Sequence, residues 1–186
     1  MKKFCTILLS CALLAVLTAC ASPQTEWTPL PLARAETEDP SPAQGETIAV
    51  AFSVTEPFGG MEMEFQVQSD ASITVSIYAA NKDYQTSLSQ KPKREETIEN
   101  LTENVLWQFR TLPAGNYLIV FSQAKNAAVK KAAAPSDEAN AKILHYRNGE
   151  IMTDGICMIT LRCLQSDPAV SPALTPFTYP VIVEEE

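Results

Sequence analysis

Apolar and polar side chains alternate with a period of two through most of the middle of the chain. The alternation covers residues 48–54, 61–67, 73–78, 105–109, 117–121 and 157–163. Such alternation is typical of strands that bury one face and expose the other. Many short strands of this kind predict an all-β fold, a jelly-roll-like antiparallel β-sandwich, over residues 46–165.

Four short segments predict the turns between these strands. Gly59-Gly60 lies between the first and second alternating runs, and residues 69–72 lie between the second and third. Residues 112–116, Leu-Pro-Ala-Gly-Asn, predict a hairpin because proline suits the second position of a type I turn and Gly115 tolerates a positive φ. Asn148-Gly149 fits the type I′ turn of a second hairpin.

Two polar stretches, residues 81–103 and 125–141, interrupt the strand pattern. We interpret both as long connections, and either has a composition that suits a short helix. Connections longer than about twelve residues are often functional or disordered.

The first nineteen residues have the layout of a signal peptide. Lys2 and Lys3 precede an apolar run at residues 4–16. A helix of that length spans only about 20 Å, whereas the hydrocarbon core of a bilayer measures about 30 Å. The segment therefore predicts secretion rather than a stable transmembrane anchor.

The end of this segment, Leu17-Thr18-Ala19-Cys20, resembles the lipobox of bacterial lipoproteins. The resemblance implies diacylglycerol on the Cys20 thiol and cleavage before Cys20. It also implies a protein held by lipid on the extracytoplasmic face of the cell membrane, at the cell surface or in the periplasm. The alternative is an ordinary signal peptide that is cut near Ala19 or Ala21 and leaves a free thiol.

Proline and acidic residues are concentrated in two flanks. We expect residues 20–45 to form a disordered tether, which would reach about 80 Å if fully extended. Trp27 lies in this predicted tether, where it would be exposed or touch the headgroup region. Residues 166–186 form a proline-rich acidic tail whose composition also allows a final edge strand.

The charge of the chain disfavours nucleic acid as a partner. The formal net charge is −8, and removal of residues 1–19 leaves 12 basic and 22 acidic residues. A surface of this sign repels phosphate backbones.

No catalytic set, metal site or cofactor site is predicted. His145 is the single histidine, and no Gly-x-Ser-x-Gly motif occurs. Cys157 and Cys163 are expected to face inward as buried, unpaired thiols, which disfavours a thiol pair with His145. Glu62 and Glu64 are interpreted as a solvated outer strand face, and the acids near residues 137 and 154 are too few for calcium.

The stretch LPAGNYLIVF resembles a turn and core strand of the pre-peptidase C-terminal and CUB-like extracellular sandwich modules. The resemblance covers about twenty residues of sequence and implies the fold, with no activity attached to it.

These observations predict a non-enzymatic binding or structural module of the bacterial cell envelope. Its ligand would be a protein or a glycan, and Tyr78, Tyr84 and Tyr146 are the candidate ligand contacts, because exposed aromatic rings stack on sugars and peptides. The alternative is an accessory or catalytic domain that acts on cell-wall or extracellular polymers through carboxylates of the two long loops.

Overall fold

The computed structural model describes residues 27–32, 43–44, 46–132, 143–153, 155–164 and 173–180. The predicted signal peptide and Cys20 lie outside these residues. So do residues 133–141 of the second long connection and residues 166–172 and 181–186 of the tail. Within the described residues, no helix has the length and apolarity needed to cross a membrane.

The described chain is built almost entirely from strands, and the predicted all-β fold is confirmed. Its only described helix is α1 (Tyr84–Leu88). The strands are β1 (Trp27–Pro31), β2 (Ala43–Gln44), β3 (Ile48–Val54), β4 (Phe58–Ala79), β5 (Arg94–Ile98), β6 (Asn104–Leu112), β7 (Gly115–Val129), β8 (Lys131–Ala132), β9 (Leu144–Arg147), β10 (Glu150–Ile151), β11 (Ile156–Cys157), β12 (Ile159–Leu164) and β13 (Leu174–Thr175).

The sandwich has two antiparallel layers that share one long strand, β4. Residues 58–64 of β4 lie between β12 and β6, and β1 lies outside β12. We call this layer sheet A. Residues 72–79 of β4 lie between β7 and β5, and the layer continues from β7 through β3 and β9 to β10. We call this layer sheet B.

The core lies between the two sheets and contains the inward-facing half of each alternating run. Its largest fully buried side chains include Phe52, Phe58, Phe65 and Phe121. The aromatic rings meet edge to face, with 5.8 Å between the ring centroids of Phe52 and Phe58 and 6.2 Å between those of Phe65 and Phe121. This arrangement suits the ring quadrupoles and contributes beyond simple area burial.

Two of the predicted turns are wrong, because both segments lie inside β4. At Gly59-Gly60 the register of β4 against β6 shifts between Phe58 and Gly60. At residues 69–72 the register against β7 shifts between Val67 and Ser72, and Asp70 takes a left-handed φ of 56°. Extra residues of this kind bend a strand without ending it. The chain therefore passes from sheet A to sheet B within one strand.

The hairpin predicted at residues 112–116 is also wrong, although the turn itself forms. The flanking strands β6 and β7 pair with different halves of β4, so the turn carries the chain from one sheet to the other. Gly115 has a φ of 153°, and the Tyr117 hydroxyl donates a 2.8 Å hydrogen bond to the carbonyl oxygen of Pro113. The hairpin at Asn148-Gly149 is confirmed, with φ values of 52° and 88° at these residues.

The flanks contribute more to the folded body than their composition predicts. Within the predicted tether, β1 pairs with β12 and β2 pairs with β7. Proline is compatible with β1 because an edge strand needs fewer backbone N–H donors than a central one. In the tail, β13 pairs with β3, which agrees with the expected final strand. The predicted connection at residues 81–103 contains α1 and β5. The second predicted connection is wrong over its described part, because residues 125–129 continue β7 and residues 131–132 form β8.

Phe65 provides a test of the shared strand, because it is fully buried where β4 leaves β6 and begins to pair with β7. We expect Phe65→Ala to lower the free energy of unfolding by about 3 to 5 kcal/mol, since it opens a cavity in both sheets' common core. Urea unfolding followed by tryptophan fluorescence measures the change. Ile151→Ala, at a side chain that is 59% exposed, is the control and should change stability by less than about 0.5 kcal/mol. Equal effects of the two substitutions would contradict the assigned role of Phe65.

Candidate functional site on the outer face of sheet A

The three tyrosines predicted as ligand contacts lie together on the outer face of sheet B. Tyr84 of α1 and Tyr146 of β9 are only 8% and 4% exposed, and their ring centroids lie 4.8 Å apart. Tyr78 is half-buried at the margin of the same cluster. The Tyr146 and Tyr179 hydroxyls share a 2.9 Å hydrogen bond. Burial raises the pKa of the Tyr84 and Tyr146 hydroxyls.

This tyrosine cluster is a second apolar core rather than an open surface. It covers small and aliphatic side chains that point outward from sheet B, namely Ala49, Ala51, Leu118 and Val120, and it also contains Phe177. The exposure that a ligand contact needs is not found at Tyr84 or Tyr146. A ligand role for the three tyrosines stays a prediction.

The outer face of sheet A is different, because no other described element packs on it. It carries an open hollow of about 390 Å³, lined by Trp27, Gly59, Gly60, Leu106, Gln108, Phe109 and Arg162. Trp27 and Leu106 are 36% and 48% exposed, and they are two of the three exposed large apolar side chains among the described residues. The third, Ile151, lies on the edge hairpin of sheet B.

Two glycines of β4 form the floor of this hollow. A Cβ atom at Gly59 would lie 2.6 Å from Cη2 of Trp27 and 3.2 Å from the carbonyl oxygen of Phe109. A Cβ atom at Gly60 would lie 3.2 Å from the Cβ of Arg162. The glycines therefore allow Trp27 and Arg162 to lie directly against the β4 backbone, which is a known use of glycine within strands.

A second hollow of about 340 Å³ continues along the same face. It is lined by Glu62, Glu64, Asn104, Val105, Leu106, Met158 and Thr160. Glu62 and Glu64 lie on the outer face, as the alternation predicts. Arg162 forms an ion pair with Glu62, and Leu106 lines both hollows. The face is thus apolar and aromatic at one end and acidic at the other.

The buried His145 and Cys157 are neighbours, but their chemistry is unsuited to catalysis. The backbone N–H of Cys157 donates a 3.2 Å hydrogen bond to Nδ1 of His145. Burial lowers the pKa of His145 to about 4 and raises the pKa of Cys157 to about 12. Both groups are therefore held neutral, whereas a catalytic pair needs a thiolate beside an imidazolium.

Cys163 is likewise a buried, unpaired thiol, and burial raises its pKa to about 12. The expectation that both thiols face inward and do not bond to each other is confirmed. Sequence alternation was sufficient here because a thiol packs like a small apolar group.

Two carboxylates of the first long connection form hydrogen bonds within the folded body. Glu95 Oε2 accepts a 2.9 Å hydrogen bond from the Ser76 hydroxyl, and Glu96 Oε2 accepts a 2.6 Å hydrogen bond from Nε1 of Trp107. Both acids belong to β5, so they are strand residues rather than loop residues. The described residues contain no group of three or more histidine, cysteine or acidic side chains that could hold a metal ion.

Comparisons with protein-family models, with curated proteins and with solved structures find no match for this chain.

Burial of His145 predicts a pH-dependent stability. The folded-state pKa of about 4 lies below the ordinary 6.5, so the unfolded chain binds a proton first as the pH falls. Stability is fully present above about pH 6.5 and declines between about pH 6.5 and pH 4, by about 2 kcal/mol on going to pH 5. Urea unfolding at about pH 7.5 and at about pH 5 measures this loss of stability.

The variant His145→Gln is the control for this prediction, because glutamine retains a hydrogen-bond acceptor for the Cys157 amide and does not titrate. The loss of stability between the two pH values should be much smaller in this variant. His145 is the only histidine, so an unchanged pH dependence would contradict the prediction.

Proposed function

We propose that this chain is an extracytoplasmic lipoprotein that is anchored to the cell membrane by lipid on Cys20. In this proposal it acts as a non-enzymatic binding module of the bacterial cell envelope. The anchor rests on the lipobox resemblance and on the signal-peptide layout of residues 1–19. The binding role rests on one observation, the outer face of sheet A, which no described element covers and which exposes Trp27 and Leu106.

The chemistry of this face suits a protein or a glycan ligand. The Trp27 indole and the Leu106 side chain provide apolar contact area. Gln108 and Arg162 add an amide and a guanidinium, which are planar groups that can form paired hydrogen bonds. A hollow of about 390 Å³ falls in the range of small-ligand sites, and mixed apolar and polar linings of this kind give both affinity and orientation.

The position of β1 supports a ligand close to the membrane. Trp27 follows Cys20 by seven residues, which span at most about 25 Å. A tether through residue 45 would reach about three times as far. In this proposal the hollow beside Trp27 is therefore presented near the headgroups rather than far into the envelope.

The alternative function, action on cell-wall or extracellular polymers, has one observation in its favour. Glu62 and Glu64 share the acidic hollow, and acid–base catalysis commonly uses two carboxylates. The ion pair with Arg162 engages Glu62. Of the loop acids that the alternative requires, Glu95 and Glu96 accept hydrogen bonds from Ser76 and Trp107. Release of soluble fragments from cell-wall or extracellular polymers by the native protein, but not by the Glu64→Gln variant, would favour this alternative over binding.

Lipidation can be tested by Cys20→Ala. We expect this variant either to stall as the unprocessed precursor or to leave the membrane fraction, because the acyl chains supply the hydrophobic anchoring. Fractionation with intact-mass spectrometry distinguishes these outcomes from native behaviour. The matched control is Cys11→Ala, in the apolar run, which should remain lipidated and membrane-bound. Membrane retention of a correctly cut Cys20→Ala protein would overturn the anchor.

The ligand face can be tested by Trp27→Ala. We expect retention of envelope polymers and proteins on the immobilised full chain to fall about tenfold or more, because central aromatic anchors often contribute more than 1 kcal/mol. The control is Ile151→Ala, which removes an even more exposed apolar side chain on sheet B, 59% exposed against 36% for Trp27. Equal retention by the native protein and Trp27→Ala would argue against this face.

A further inference from the structure

Strand β6 has one edge that no described residue pairs with. Its other edge pairs with β4, and the Phe65 N–H donates a 2.8 Å hydrogen bond to the carbonyl oxygen of Glu103. Glu64 and Asn104 are directly opposite each other. In an antiparallel ladder this places the backbone groups of odd-numbered residues from 103 to 107 toward β4. The backbone groups of Asn104, Leu106 and Gln108 point toward the open edge.

Both ends of this open edge are capped by side chains. The Thr102 hydroxyl donates a 2.8 Å hydrogen bond to the carbonyl oxygen of Asn104. Arg94 donates from Nε and Nη2 to the carbonyl oxygen of Arg110, at 3.0 Å and 2.8 Å. Proteins commonly block exposed strand edges to prevent unwanted pairing. Here the capping side chains do not reach the centre of the edge. The outward N–H and C=O groups of Leu106 and Gln108 have no hydrogen-bond partner among the described residues.

We propose that β6 binds an extended peptide segment by antiparallel strand addition at Leu106 and Gln108. Two residues spaced by one intervening position offer two N–H donors and two C=O acceptors, a pattern that another strand matches. This proposal rests on the proposed function in using the same end of sheet A, and it names the partner as a peptide strand.

The side chains around the open edge indicate which peptide side chains the site would favour. Leu106 and Gln108 line the hollow beside Trp27, so the two peptide residues opposite them place their side chains over that hollow. Apolar side chains at these two positions would contact the exposed Leu106. Main-chain pairing supplies affinity in this mode, and alternate side chains supply specificity.

The central peptide residue, opposite Trp107, points to the other side of the sheet. On that side Glu96 accepts the hydrogen bond from Nε1 of Trp107, and β5 follows β6 along the same edge of β4. Glu96 is exposed and is the acid of β5 on this side, whereas Glu95 points to the opposite face, where it accepts the hydrogen bond of Ser76. A lysine at the central position complements Glu96. A second copy of the chain is disfavoured as the occupant, because two bodies of net charge −8 repel each other.

A fluorescein-labelled, capped heptapeptide, Thr-Thr-Val-Lys-Val-Thr-Thr, tests the proposal by fluorescence polarisation with the full chain in detergent. N-methylation of both valine amides, which face β6, should weaken binding about tenfold or more through loss of two hydrogen bonds. N-methylation of the central lysine amide, which faces solvent, should leave the affinity nearly unchanged. A peptide with glutamate at the centre should bind several-fold more weakly.

Two protein variants locate the site on β6. Leu106→Pro removes the outward N–H and leaves the β4 ladder intact, because proline is tolerated where a strand N–H faces solvent. This variant should lose the peptide, whereas Leu106→Ala should retain measurable binding through its backbone. Thermal unfolding confirms that both variants are folded. Hydrogen exchange should show the Leu106 and Gln108 amides becoming protected only when the peptide is bound.

Several outcomes would overturn this proposal. These are binding by none of the peptides, equal affinity for the two N-methylated peptides, and unchanged binding by folded Leu106→Pro. A dimer that Leu106→Pro dissociates would instead identify a second copy as the occupant and would also overturn it. The same titration with Cys20→Ala does not depend on lipid, so failure of the membrane anchor and failure of the peptide site are separable.

Discussion

The fold depends on β4 belonging to both sheets. A strand that changes layers must bend without breaking its hydrogen-bond ladders, and β4 does so through register shifts near Gly59 and Asp70. Phe65 fills the core beside the first change of partner. Because β4 is continuous, the pairing of β6 and β12 on one half is tied to that of β5 and β7 on the other. The geometry of sheet A therefore cannot vary independently of sheet B.

The two outer faces have unequal chemistry, which explains why only one is covered by described elements. The outward positions of sheet B include Ala49, Ala51, Leu118 and Val120, and leaving these apolar groups in water would be unfavourable. Helix α1 and the segment around Phe177 bury them. The outward positions of sheet A include Glu62, Glu64 and Gln108, which are readily solvated. No described element covers that face, and Trp27 and Leu106 are its exposed apolar exceptions.

The titratable groups buried in the described part of the chain are held neutral or hydrogen-bonded within the fold. His145 and the two cysteines are held neutral by desolvation, and the acids of β5 are bonded to Ser76 and Trp107. Reactive groups are usually perturbed toward their working protonation state and reach a cleft. Sheet A instead presents a shallow hollow, the carboxylates of Glu62 and Glu64, and a central edge of β6 that no described strand pairs with. The proposed binding function uses these features.

The sequence alone determined which residues of the alternating runs face the core between the sheets, because alternation follows directly from strand geometry. It did not show that outward side chains of sheet B, such as Leu118 and Tyr146, are also buried. It also determined the Asn148-Gly149 hairpin, whose positive φ values few residue pairs tolerate. Tertiary structure decided the rest. Glycine is favoured both in turns and where a side chain lies against a strand, so the local sequence could not tell that Gly59-Gly60 forms a floor for Trp27. Pairing partners, edge strands such as β1, and covering elements such as α1 depend on contacts between residues far apart in the chain, which local pattern does not encode.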